Sequence, residues 1–138
     1  MSRVLFMHHV SLLVTDTARA LDFYHGILGL PVNDSRPDLG YPGAWLDVGR
    51  QQIHLLELVL PDDNRPGATH GGRDRHFALI IDDLDGLKAH LESCGIDYTE
   101  SRSGRRALFC RDYDGNAVEL IEQGNGESMQ VGSGAIAP

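Results

Sequence analysis

The chain has 138 residues, of which 41% are hydrophobic and 23% charged, so it has room for one compact domain or two small units sharing a core. Its formal net charge of −8 argues against nucleic acid or an anionic membrane as a general partner. No apolar run approaches the ~18 residues of a membrane span, and the first residues lack the apolar core of a signal peptide. Cys94 and Cys110 lack the spacing of a zinc site, so we expect free thiols and a cytoplasmic location.

The first half of the chain predicts one helix among four strands. Alternating polarity predicts a strand over residues 8–15. Asp16 and its threonine neighbours can cap a helix, which apolar residues at helical spacing predict over 18–28, and Gly29 can end it. Three further strands complete the unit, over residues 30–36, 44–48 and 51–60.

The second half repeats this order after a segment rich in Pro, Gly and Asp, residues 61–72, which we interpret as a linker. The predicted elements are a strand over 75–81, a helix over 84–94, and strands over 97–102, 106–111 and 117–123. Residues 124–138 lack periodicity and predict a mobile tail. The sequence therefore predicts an α+β fold in which two βαβββ modules, residues 4–60 and 73–123, form a curved mixed sheet.

The two modules also match residue by residue. The strand sequences IHLLE and VELIE differ in kind only where one has His54 and the other Glu119. His9 and His76 each open an apolar strand that ends in an acidic turn. Each module thus begins and ends with a possible metal ligand. If each sheet curls with its helix outside, strand alternation points the four side chains into one concave interior.

Three imidazoles and one carboxylate suit Zn, Ni, Co, Mn or Fe better than Ca or Mg. A single histidine at a strand start is more often packed or solvated, but four ligand types at repeat-equivalent positions favour a metal site. His8 alternates to the helix-facing side and is not expected to be a ligand. The sequence also predicts that His25, His70 and His90 are solvated.

Four segments resemble a known family: HHV at the first strand, DFYHGILGL at the first helix, RHFALII at the fifth strand and DYDGNAVELIE at the last. Over roughly residues 4–123 the chain resembles the vicinal oxygen chelate, or glyoxalase/bleomycin resistance/dioxygenase, superfamily. The resemblance implies one divalent metal ion held by His9, His54, His76 and Glu119, with open positions for two oxygens of a small-molecule substrate. It also implies a homodimer with each site completed across the two-fold axis.

The resemblance favours a lyase or isomerase of the glyoxalase kind. The metal would acidify a C–H bond and stabilise an enediolate, and Glu119 would be both ligand and proton-transfer base. Glyoxalase I enzymes carry Glu or Gln at the position of His54, so the histidine departs from their pattern. Leu13 and Leu58 stand where glutathione-using members have Arg and Asn, which argues against glutathione.

Three other functions of the family stay open. Ring-cleaving dioxygenases bind Fe(II) with two His and one Glu, which His9, His76 and Glu119 would supply. Thiol transferases that inactivate fosfomycin share a glycine-bearing loop, here SRSGRRALF, in which the arginines could bind an anionic substrate group: Arg102, Arg105 and Arg106. Bleomycin-resistance members bind a drug without metal.

Overall fold

A computed structural model describes residues 1–60 and 69–124 of the chain. Most of the predicted linker and residues 125–138 of the predicted tail lie outside the described residues. The chain divides into two compact units, one formed by residues 1–60 with 112–116 and the other by 69–111 with 117–124. Each unit contains one four-stranded mixed sheet and one main helix, so the predicted α+β class is confirmed.

The first unit has the predicted order of one strand, one helix and three strands. Its elements are β1 (His9–Val14), α1 (Thr17–Leu21, continued as a π-helix over Asp22–Ile27), β2 (Val32–Asn33), β3 (Gly43–Val48) and β4 (Gln51–Glu57). The strands lie in the order β1-β4-β3-β2, with β1 and β4 parallel and the other pairs antiparallel. The sheet buries Leu46, Ile53 and Leu55 almost completely.

The second unit repeats that topology. Its elements are β5 (His76–Ile81), α2 (Leu84–Ser93), β6 (Tyr98–Glu100), β7 (Ala107–Arg111) and β8 (Ala117–Glu122). The strands lie in the order β5-β8-β7-β6, again with the first two strands of this order parallel and the other pairs antiparallel. A short 3-10 helix, Gly71–Arg73, occupies the end of the segment predicted as linker.

The two helices begin in the same way. Asp16 and Asp83 each accept a hydrogen bond from a backbone N–H of the first turn, which satisfies a donor that the helix cannot. A glutamate at the end of the parallel partner strand then accepts from the first helical residue: Glu57 from the N–H of Thr17, and Glu122 from that of Leu84. The repeated glutamates of the sequence are therefore helix caps in both units.

The helices end differently. In α2 the N–H of Ile96 donates to the carbonyl of Leu91, five residues back, whereas in the first unit Leu30 donates to Tyr24, six residues back. The first helix therefore contains one extra residue, which it absorbs as the π-helix instead of the regular helix predicted over 18–28. The wider turn buries both Phe23 and Tyr24 completely.

The largest error in the predicted strands concerns residues 30–36. Only Val32–Asn33 pairs with β3, because Pro31 has no N–H to donate and the side chain of Asn33 accepts from the N–H of Ser35, which turns the chain. Cys94 and Cys110 are free thiols, as predicted. Among the described residues no helix is long and apolar enough to cross a lipid bilayer.

Candidate metal-binding residues

In the first unit the strand register brings His9 and His54 together. Ser11 of β1 pairs with His54 of β4, and His9 lies two residues earlier on the same face. The two imidazole rings stack with centroids 3.9 Å apart. Trp45, the partner of His54 on β3, covers the opposite side of the ring at 4.4 Å and nearly parallel. His54 is therefore buried between two rings, and only the edge of its imidazole can reach a ligand.

Hydrogen bonds fix the tautomer of His54. The carboxylate of Asp47 can only accept, so the Gln52 amide directs its NH2 group toward it, at 3.1 Å. The amide oxygen of Gln52 then faces Nε2 of His54 at 2.8 Å, which makes Nε2–H the donor and leaves the lone pair on Nδ1. Burial, followed by the neighbouring His9, lowers the pKa of His54. The ring is thus held in the neutral form that binds metals.

In the second unit the equivalent register brings His76 and Glu119 together. Ala78 pairs with Glu119, and Nε2 of His76 lies 3.5 Å from the Glu119 carboxylate. Glu119 is only 5% exposed. Its second oxygen lies 3.4 Å from the guanidinium of Arg105, so both contacts are longer than a typical charged hydrogen bond. A buried carboxylate with such loose partners has capacity to bind a cation.

The three arginines predicted to bind substrate occupy different environments. Arg106 bonds to Glu122 at 2.7 Å and lies 3.2 Å from Asp85, and these carboxylates raise its pKa. Arg105 contacts Glu119 as described above, and Arg102 is exposed. All three belong to the loop before β7, but only Arg105 contacts a predicted metal ligand in the part of the chain described.

The remaining histidines include one correction. His25 and His90 are exposed, as predicted. His70 is half-buried instead of solvated, because its Nδ1 lies 2.7 Å from the hydroxyl of Thr99 and its ring packs on Phe109. His8 lies immediately before β1 and is exposed, and its Nδ1 lies 2.8 Å from that of His9.

The donor types fit a divalent transition metal: neutral or titratable imidazoles and one buried carboxylate. Each unit contributes one pair, and no group of three or more His, Cys, Asp or Glu suited to a metal occurs within residues 1–60 and 69–124. The observation that best supports a bound cation is the burial of Glu119, whose contacts with Arg105 and His76 are 3.4 and 3.5 Å long.

The sequence interpretation did not assign the side chains that support these pairs to the candidate site. Trp45 and Phe109 hold equivalent positions, because each pairs across the sheet with the ligand candidate of its unit, His54 or Glu119. Gln52 and Asp47 were also missed. Aligning the third strands of the two modules would have revealed the aromatic pair, but the hydrogen bonds depend on rotamers that the sequence does not specify.

A comparison with known proteins identifies the family to which the sequence is similar. The model of the Glyoxalase/Bleomycin resistance protein/Dioxygenase superfamily matches residues 6–120. The uncharacterized protein YaeR of Escherichia coli (strain K12) is 31% identical over 124 residues, which cover 85% of this chain and 95% of that protein. Glyoxylase I 4 of Arabidopsis thaliana is 30% identical over 132 residues, covering 91% of this chain and 73% of the relative.

A solved structure agrees with the fold. The crystal structure of a glyoxalase family protein from Bacillus anthracis superposes with a TM-score of 0.72 and 21% identity, covering 88% of this chain and 98% of that one. At this identity the likeness shows the fold alone. The family model, by contrast, spans both repeated units. The chain therefore belongs to the glyoxalase/bleomycin resistance protein/dioxygenase superfamily.

Proposed function

We propose that this protein is a divalent-metal-dependent lyase or isomerase of the glyoxalase kind, acting on a small substrate that chelates the metal through two vicinal oxygens. One Zn, Ni, Co, Mn or Fe ion would be bound by His9, His54, His76 and Glu119. The observation that carries this proposal is the burial of the Glu119 carboxylate, whose contacts with His76 and Arg105 are 3.5 and 3.4 Å long.

When bound, the metal would supply Lewis acidity, which lowers the pKa of a C–H bond beside a substrate carbonyl. The protein's own residues would then orient the substrate and move the proton. Glu119 is the only carboxylate in the set, so it would serve as the proton-transfer base. Its burial keeps bulk water away from the proton that it would accept.

The neighbouring residues would keep the imidazoles in place. Gln52 holds Nε2–H of His54, so that Nδ1 carries the lone pair that a metal needs. Trp45 and His9 cover the two ring faces, which restricts rotation of the imidazole. The first unit would therefore orient His54 as a neutral metal ligand. Glu119 of the second unit would carry out the proton transfer.

Kinship supports the reaction class more than the substrate. Glyoxylase I 4 is similar to this chain over most of its length. However, Leu13 and Leu58 replace the polar residues that glutathione-using members carry, so the proposed substrate is not a glutathione adduct. Arg102, Arg105 and Arg106 are the residues proposed to bind an anionic group on it, with Arg106 the most constrained because of its two carboxylate partners.

We further propose a cytoplasmic homodimer. The segment before β1 exposes Val4, Leu5 and Phe6 by 96%, 75% and 60%, an apolar surface that a second copy of the chain could cover. The free thiols of Cys94 and Cys110 would persist in a reducing compartment. Light scattering on a sizing column would give the oligomeric state, and a monomer at micromolar concentration would contradict the dimer.

Metal content is the first test of the function. Elemental analysis of protein purified without chelator or nickel affinity should find about one transition-metal ion per site. His76→Ala should lose the ion, whereas His90→Ala, which alters an exposed histidine of α2, should keep it. Absence of metal in wild type, together with no uptake on titration, would contradict the proposal and favour a metal-free drug-binding protein.

A second candidate is an Fe(II)-dependent ring-cleaving dioxygenase with His9, His76 and Glu119 as its facial triad. The observation that favours it is the environment of His54, whose ring is stacked on both faces and bonded at Nε2. His54 would then support the site without binding the metal. Iron as the native metal, retained in His54→Ala, together with oxygen consumption on a catechol, would establish this reaction in place of the lyase.

A further inference from the structure

Arg105 forms an ion pair with a predicted metal ligand, Glu119. Its guanidinium lies 3.4 Å from one oxygen of Glu119, while His76 lies 3.5 Å from the other. Glu119 is 5% exposed, whereas the Arg105 side chain is 41% exposed. The contact therefore joins a buried anion to a cation that can still turn toward solvent.

A buried carboxylate is costly unless a cation accompanies it, and an arginine stays charged at any physiological pH. In the metal-free protein Arg105 therefore supplies the charge that Glu119 requires. A divalent ion on Glu119 would remove that need and repel the guanidinium, because the two cations would lie within a few ångströms of one another in a partly buried site. Metal and Arg105 thus compete for the same carboxylate.

Arg105 lies in the exposed loop before β7. Arg105 follows Gly104, which has a φ of +90° that other residues rarely adopt, and Ser103 accepts hydrogen bonds from the backbone and side chain of Arg105 on the exposed side of the loop. Displaced from Glu119, the guanidinium would remain close to the metal and could turn donors toward a substrate. Such a group binds a carboxylate or phosphate well.

We propose that Arg105 couples metal binding to substrate binding: it neutralises Glu119 in the metal-free protein and, once the metal is bound, transfers to an anionic group of the substrate. The inference rests on the proposed function and adds a substrate class to it, a vicinal-oxygen compound that also carries a carboxylate or phosphate. Because coupling is reciprocal, an oxyanion that binds Arg105 must also tighten metal binding.

Zinc affinity with and without sulfate tests the coupling. Zn²⁺ is titrated from chelator buffers at constant ionic strength, and binding is followed by calorimetry and by the fluorescence of Trp45, the single tryptophan, which stacks on His54. Sulfate serves as the oxyanion because it is a weak zinc ligand. For the wild type we expect sulfate to tighten zinc binding by about fivefold, the low end of ordinary coupling.

The variants isolate Arg105. Arg105→Gln should bind zinc about tenfold more tightly than wild type and should not respond to sulfate, because the competing cation is gone. Arg50→Gln is the matched control: it makes the same substitution at an exposed arginine in the turn between β3 and β4, and it should stay within about twofold of wild type, since exposed charges are screened. Arg105→Lys should resemble wild type in zinc affinity if charge is what matters.

Each outcome decides one proposal. If Arg105→Gln binds zinc as wild type does, or more weakly, and sulfate has no effect on the wild type, the coupling is wrong while the metal site stands. If the wild type binds no zinc at all, the proposed function fails and the coupling fails with it. The sulfate measurement needs only wild-type protein, so it remains decisive even if the Gln variant does not fold.

Discussion

The two units share a backbone register but place different chemistry on it. In each, the ligand candidate of the last strand pairs with the second residue after the opening histidine, Ser11 opposite His54 and Ala78 opposite Glu119. The first unit fills that position with a neutral ring, and the second with a carboxylate. A stacked imidazole needs no counter-charge, whereas a buried carboxylate does. The two units thus differ in charge at this equivalent position.

The units also differ in how the sequence departs from the repeat. The extra residue of the first helix creates the π-helix and buries Tyr24, whose hydroxyl donates to Asp112 at 2.7 Å. Asp112 lies in the turn between β7 and β8, but that turn packs with the first unit. The regular helix α2 ends one residue sooner, with Leu91 in the corresponding buried position. The first unit therefore has a buried hydrogen bond between Tyr24 and Asp112, where the second unit has the apolar side chain of Leu91.

The largest expected effect separates the two ligand positions. Glu119→Gln should lower turnover of the substrate that wild type converts by about 1,000-fold, because the amide cannot accept the proton. Its metal affinity should fall by only about 10- to 100-fold, since three imidazoles remain. His54→Gln should lower the metal affinity, but at saturating metal it should not lower turnover to a comparable extent. Steady-state kinetics beside zinc titrations check both, and equal retention of turnover and affinity in Glu119→Gln would reject its role as base.

The second prediction concerns the polar contact of the first unit. Asp112 accepts from the Tyr24 hydroxyl, the N–H of Asp114, and the backbone and side chain of Asn116. Asp112→Ala should lower the free energy of unfolding by about 3 kcal/mol, because the buried Tyr24 hydroxyl and the part-buried donors of Asp114 and Asn116 lose their acceptor. Urea denaturation measures the change.

Asp114→Ala is the matched control for that measurement. The Asp114 carboxylate, in the same turn, accepts from the exposed Thr15 hydroxyl. Its loss should therefore cost about 1 kcal/mol or less. If the two substitutions destabilise the protein equally, the Tyr24–Asp112 contact does not have the importance assigned to it.

The sequence predicted what depends on periodicity and repetition. Both modules, both helices, the free cysteines and the equivalence of His54 with Glu119 follow from alternation, caps and a repeated pattern. The π-helix could not be predicted, because one extra residue preserves the apolar spacing of a helix. The half-buried His70 and the Gln52–His54 bond depend on tertiary packing. Arg105 was a candidate for the substrate, but its contact with Glu119 required the conformation of the loop.

The third prediction tests the hydrogen bonds that orient His54. Gln52→Leu removes the acceptor of Nε2–H and frees the ring to change tautomer, so zinc affinity should fall by about 10- to 100-fold, as for other residues that orient a ligand. Gln51→Leu makes the same substitution at the adjacent exposed position and should leave the affinity unchanged. Titrations followed by Trp45 fluorescence distinguish them. Equal affinities would show that stacking alone holds the ring.

The smallest expected effect concerns the helix cap of the second unit. A hydrogen bond from Arg106, and then the N–H of Leu84, lower the pKa of Glu122 below its ordinary value of 4.5. The folded state therefore binds this proton less readily than the unfolded state. The resulting stabilisation is complete above about pH 4.5 and is lost as the pH falls through the lowered pKa of the folded state.

Glu122→Gln should accordingly unfold at a lower temperature than wild type at pH 7, and the difference between the two Tm values should shrink as the pH falls below 4.5. Arg106→Gln should flatten the same dependence, because it removes the first cause of the shift while leaving the carboxylate on Leu84. Differential scanning calorimetry between pH 7 and pH 3 measures all three proteins. Parallel curves of Tm against pH for wild type and Glu122→Gln would contradict this prediction. They would mean that Glu122 caps the helix through its hydrogen bond to Leu84 and not through its charge.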